Sequence, residues 1–216
     1  MNHLLSDNDR ALLDKEISRA ENLTGVQIVL ATVQRSDSYA EIPWKAFALG
    51  VSAAGLALFI YDIFFLQWIT NLMILLHIAL ILAAGVLSAS MTVFFPYFAR
   101  LFLPRSRKET ETMQYAESLF LSHELFATEG RRGILLMVSL FEKQVIILSD
   151  TGVRESLSEE IMKRIILRMT QNLRRNNIRM SFEGGLDELI TVLAAGGSMK
   201  SGKNELSNEI IEEEGV

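Results

Sequence analysis

The sequence predicts a small α/β domain of the α+β kind, a mixed sheet packed by helices, interrupted by a two-helix transmembrane hairpin. Three observations predict it. Between Trp44 and Tyr97 the only charged side chains, with histidine neutral, are Lys45 and Asp62. Short β-rich runs stand on both sides of that stretch. The leading segment offers one helix and one strand, too little to fold alone. Residues 1–43 and 99–196 therefore read as two parts of one soluble domain, residues 44–98 as the hairpin, and residues 197–216 as a flexible acidic tail.

The first helix opens on Ser6-Asp7-Asn8-Asp9, which combines N-cap chemistry with acid in the first turn. Leu12, Leu13, Ile17 and Ala20 recur at helical spacing, and Gly25 closes the helix. Residues 26–33 are apolar at odd and even positions alike, the pattern of a strand buried on both faces.

The spans are expected at about residues 46–66 and 72–95. Each is long enough, at ~1.5 Å per residue, for a ~30 Å hydrocarbon core. Asp62 and Gln67 mark the turn, and Trp44, Tyr61, Trp68 and Tyr97 form an interfacial aromatic belt. Gly50 with Ala54, Ala84 with Ser88, and Gly85 with Ala89 are small residues four apart. Such faces let the two helices pack closely, or could instead join two chains as a homo-oligomer. His77 lies inside the second span, where a neutral ring bonded to a backbone carbonyl is expected. Lys45, Arg100, Arg105, Arg107 and Lys108 flank the spans and the turn has no Lys or Arg. The positive-inside rule then puts both termini in the cytoplasm. Residues 1–13 are polar and do not read as a secretory signal, so the first span serves as an uncleaved anchor.

After the hairpin, residues 109–126 read as a helix, 134–140 and 145–148 as a strand pair with a turn between. A helix capped by Ser156 or Ser158 follows, with Ile161, Ile165, Ile166, Met169 and Leu173 as its buried stripe. Gly184-Gly185 reads as a turn before a last helix over 186–195. The net charge of −5 gives no nucleic-acid footprint, and there is no cysteine.

Residues 128–140 (TEGRRGILLMVSL) and 142–153 (EKQVIILSDTGV) resemble the TPM domain. Further matching pieces are Leu5-Ser6, Asp9-Arg10, Ala20-Glu21, Thr24-Gly25, Ala116 with Phe120, and Asn204-Glu205-Leu206. The chain looks most like the bacterial membrane-protein branch in which two spans interrupt that domain. The resemblance implies a bacterial inner-membrane protein. It links the family to assembly or repair of membrane complexes, to divalent-metal binding and to acid phosphatase activity. Related chains often have Asp-Arg-Gly where this one has Asp150-Thr151-Gly152.

The residues themselves offer little catalytic chemistry. With no Cys and only His3, His77 and His123, an activated nucleophile lacks an evident base. Asp150, at a strand end, is the best metal candidate, supplemented by Glu183 and Asp187 for calcium or magnesium. Arg131 and Arg132 are the candidates for an anion or lipid headgroup. The expected function is an interaction or assembly module at the membrane surface, meeting the lipid bilayer and a membrane or cytoplasmic protein, and more an adaptor than an enzyme. The alternatives are a weak metal-dependent phosphatase and a subunit of a transport assembly.

Overall fold

The computed structural model describes residues 5–65, 70–175, 177–195 and 210–215. Gln67, Trp68 and Asn204-Glu205-Leu206 lie outside the described residues. Two units are present, one formed by Met1–Asp37 with Glu109–Val216 and the other by Ser38–Lys108.

The first unit is a four-stranded mixed sheet. Its strands are β1 (Gln27–Arg35), β2 (Gly133–Ser139), β3 (Gln144–Ser149) and β4 (Ile211–Gly215), in the order β3-β2-β1-β4. β1 runs parallel to both neighbours, from Gln27 opposite Gly133 to Val33 opposite Ser139, and with Ala31 opposite Ile211. β2 and β3 form the expected antiparallel hairpin, turning through Lys143 at φ 54°. The segment before the hairpin therefore supplies an inner strand to a sheet whose other strands come after it.

Helices α1 (Asp7–Thr24), α6 (Glu159–Arg174) and α7 (Ile178–Ala195) bury one sheet face. Leu13, Ile17, Ile28, Leu30, Leu136, Ile165, Met169, Phe182 and Leu189 meet there. Helix α5 (Arg105–Ser122), followed by a 3-10 turn at Leu125–Ala127, covers the other face through Ala116, Leu119 and Leu125 against Val29, Ala31, Leu135 and Met137. Alternate residues of β1 and β2 serve the two cores, which is why both strands are apolar throughout. Ser6 caps α1 by accepting from Asp9 N at 3.2 Å, and Gly25 ends it at φ 69°. Ser158 caps α6.

Two expectations about this unit are corrected. Residues 211–215 of the acidic tail are an edge strand rather than a flexible end. Arg10 holds Glu212 on one face at 2.8 Å, and Tyr115 O–H donates to Glu213 on the other. These partners convert solvated acids into strand anchors. The last helix starts at Ile178, with Asn177 Oδ1 accepting from Met180 N at 2.9 Å, so Gly184 and Gly185 lie inside it. A Cβ on Gly185 would sit 2.7 Å from Met169 Sδ, so this glycine lets α7 cross α6 closely.

The second unit holds α2 (Glu41–Phe65), α3 (Asn71–Phe94) and a short α4 (Pro96–Arg100). α2 and α3, of 25 and 24 residues, are long and apolar enough to cross a bilayer, and almost none of their apolar residues are buried. They pack as an antiparallel pair. A Cβ on Gly50 would meet Ala84 O at 2.7 Å, and one on Gly85 would meet Val51 Cγ2 at 2.7 Å. Gly50 and Gly85 are thus used inside the hairpin. Asp62 belongs to α2 rather than to the turn, and His77 Nδ1 lies 3.4 Å from Asp62 Oδ2, not on a backbone carbonyl.

Candidate functional site

At the starts of β1 and β2 and the end of β3, two loops interlock. Gly130 and Arg131 take consecutive left-handed conformations, φ 71° and 56°. This reverses the chain just before β2. Arg131 N donates to Thr128 O at 2.9 Å, and Arg132 N to Thr128 Oγ1 at 3.0 Å. Gln27 N donates to Arg132 O, Asp150 N to Gly133 O, and Gly152 N to Arg131 O, at 3.0, 2.9 and 2.9 Å. The loop backbone is therefore bonded on three sides. Gly152 is required by this closeness, since a Cβ there would stand 2.7 Å from Arg131 O and nearer still to Gly130 O.

The side chains lock in the same place. Arg131 Nε donates to Asp150 Oδ2 at 2.6 Å and Nη2 to Oδ1 at 2.9 Å, a two-point fork. Thr151 N adds a third bond to Oδ1 at 2.7 Å. The Asp150 side chain is 4% exposed and that of Arg131 55% exposed. The bonds from the Arg131 guanidinium hold the Asp150 carboxyl below its usual range, against the burial that would raise it. The same pairing raises Arg131. A guanidinium has about five N–H donors, so about three remain for a ligand. The site is a rigid, outward-facing guanidinium edge. It can hold a phosphate or carboxylate. The Asp150 carboxylate, bonded through both oxygens, is occupied.

The structure thus joins Arg131 and Asp150, which the sequence reading assigns to different ligands. Arg132 stands beside them, with Nε on Glu129 O at 3.1 Å. It does not gather Asp150 with Glu183 and Asp187. Glu183 pairs with Arg179 at 2.8 Å, Asp187 is exposed along α7, and among the described residues no group of three or more His, Cys, Asp or Glu is disposed to hold a metal ion.

Two buried acids escape the sequence reading. Glu142 is 1% exposed, accepts from Ser36 N at 2.9 Å and takes the Ser139 hydroxyl. It ties the end of β1 to the end of β2, opposite the Arg131 loop. Glu21 accepts from Ile28 N at 2.9 Å, and burial pushes its carboxyl up to about 7 despite that bond. Its signal was present, because position 21 flanks the apolar stripe of α1 made by Leu13, Ile17 and Ala20.

Residues 99–192 match the family profile described as the TPM domain. No curated protein matches the chain. Among solved structures, the BA42 protein from the psychrophilic bacterium Bizionia argentinensis is similar in fold, with a TM-score of 0.58 at 13% identity. The alignment covers 98% of this chain and 97% of that one. Residues 99–192 are thus similar to the TPM domain, and in the structure their strands share a sheet with β1, from before the hairpin of two long apolar helices.

Proposed function

We propose that the protein is a membrane-anchored interaction module: a TPM domain held at the cytoplasmic face of a bacterial plasma membrane, where it engages a membrane or cytoplasmic partner. One observation carries this reading. β1 lies between β2 and β4, so both sequence flanks of the hairpin build one sheet, and the domain is joined to the hairpin by two covalent connections, after Asp37 and before Glu109. A double tether of this kind confines the domain to the membrane surface and suits docking there. The basic side chains Arg100, Arg105, Arg107 and Lys108 support the cytoplasmic side. Arg131, oriented by Asp150, is the group offered to an acidic side chain or phosphate of the partner. An engaged Asp150 argues against a carboxylate free for metal-assisted hydrolysis.

The test pairs binding with turnover. Full-length protein in lipid nanodiscs is assayed with p-nitrophenyl phosphate in millimolar calcium, magnesium or manganese. In parallel, a photo-crosslinking residue is scanned over exposed domain positions in cells. The proposal expects discrete adducts at clustered positions and no hydrolysis. Phosphate-ester turnover that Asp150→Asn abolishes would replace it with the phosphatase reading.

A further inference from the structure

The two faces of the sheet are unequally covered. Four strands at ~4.8 Å spacing make a face about 19 Å wide, and one helix covers about 10 Å of it. Three helices serve one face; α5 and the short 3-10 turn at Leu125–Ala127 serve the other, over β1, β2 and β4. On that side Ile146 and Leu148 of β3, the outermost strand, are only partly buried. Beside them runs an open groove lined by Glu117, Phe120, Leu121 and Leu148. At ~100° per residue, Met113, Glu117, Phe120 and Leu121 share one stripe of α5, next to the stripe of Thr112, Ala116 and Leu119 that faces the sheet. Leu121 is 61% exposed and Met113 41%. This is an apolar strip about one helix wide with a single carboxylate on its wall.

The charge of the chain is also divided. Ser38–Lys108 carries five basic and two acidic side chains; the rest of the chain carries 16 basic and 24 acidic, a net of −8. An acidic domain with a Glu-marked apolar groove complements a basic amphipathic helix. We infer that the groove between α5 and β3 docks such a helix from a partner protein, apolar residues on Phe120, Leu121, Ile146 and Leu148 and a Lys or Arg on Glu117. This rests on the interaction-module reading and names the partner's chemistry.

The probes are two synthetic helical peptides of equal length, one Leu/Lys and one Leu/Glu, titrated by fluorescence anisotropy against full-length protein in zwitterionic nanodiscs, with empty discs subtracted. The Leu/Lys peptide is expected to bind roughly tenfold more tightly, and less so as salt rises. Glu117→Lys should narrow that preference at least about threefold, and Leu121→Asp, at an exposed position, should remove binding of both peptides. Equal binding of the two peptides, or affinity indifferent to both substitutions, overturns the inference. In cells, a photo-crosslinker at Leu121 is compared with one at Leu167, 63% exposed on α6. A Leu121 adduct that Glu117→Lys weakens supports the groove. Adducts at Leu167 alone, or at neither position, overturn the groove; the module reading falls only if the scan over all exposed domain positions yields none.

Discussion

Gly152→Ala probes the interlocked loops most sharply. The added Cβ would stand 2.7 Å from Arg131 O and closer to Gly130 O, both of them backbone atoms. Ordinary C···O contact is about 3.3 Å, so the loops must separate by at least about 0.6 Å. No side-chain rotation relieves this. The bond from Gly152 N to Arg131 O at 2.9 Å is stretched in the process. Overpacking of this kind costs about 1–3 kcal/mol and the weakened bond about 1 kcal/mol, together about 2–4 kcal/mol. For a domain of this size that lowers the Tm by roughly 5–15 °C. Thermal unfolding followed by far-UV circular dichroism in nanodiscs measures it. Gly184→Ala is the internal comparison, because its Cβ meets Asn172 Nδ2 at 3.4 Å, ordinary contact. That variant should be neutral or gain up to about 1 kcal/mol from helix propensity. A Gly152→Ala midpoint within about 1 °C of wild type would refute the tight interlock.

Three further outcomes follow from the same geometry. Glu142→Ala leaves Ser36 N without its buried acceptor and should cost about 1–3 kcal/mol in urea unfolding, whereas Glu142→Gln, which keeps an acceptor oxygen, should cost less. Glu21 binds its proton more tightly folded than unfolded, so its contribution is fully present below about pH 4.5 and is lost as pH rises toward about 7. A Tm series across that window should fall in the wild type and flatten in Glu21→Gln. Removing the residues from 210 onward deletes β4 and its anchors to Arg10 and Tyr115, so hydrogen exchange of β1 amides across Ala31–Arg35 should accelerate, while the β2–β3 ladder changes less.

The hairpin and the local punctuation were legible because each is written in contiguous residues. Charge-free runs mark α2 and α3, Ser6 and Gly25 bracket α1, and apolar residues at both parities mark β1. What escaped reading depends on partners far along the chain. Glu212, Glu213 and Glu214 look like a solvated tail, and only pairing with β1, with Arg10 on Glu212 and Tyr115 on Glu213, all far from them in sequence, makes them a strand. Gly184-Gly185 looks like a turn, and only Met169 across the α6–α7 crossing explains the glycine at 185 within a helix. Arg131 and Asp150 were both singled out, yet 19 residues and a strand hairpin separate them, so their fork was invisible in one dimension. The pairing of His77 with Asp62 was hidden in the same way by the turn between the spans.

The central claim is that one domain is built from both flanks of a hairpin that crosses the membrane and returns. Single cysteines at Ser38, Gln67 and Glu109, labelled in intact cells with a membrane-impermeant maleimide, test it most directly. The account predicts labelling at Gln67 alone, with Ser38 and Glu109 protected until the membrane is permeabilised. Labelling of Ser38 and Glu109 but not Gln67 would keep the hairpin and reverse the proposed side. Different fates for Ser38 and Glu109 would contradict the account, because residues flanking one shared sheet cannot lie on opposite sides of a bilayer.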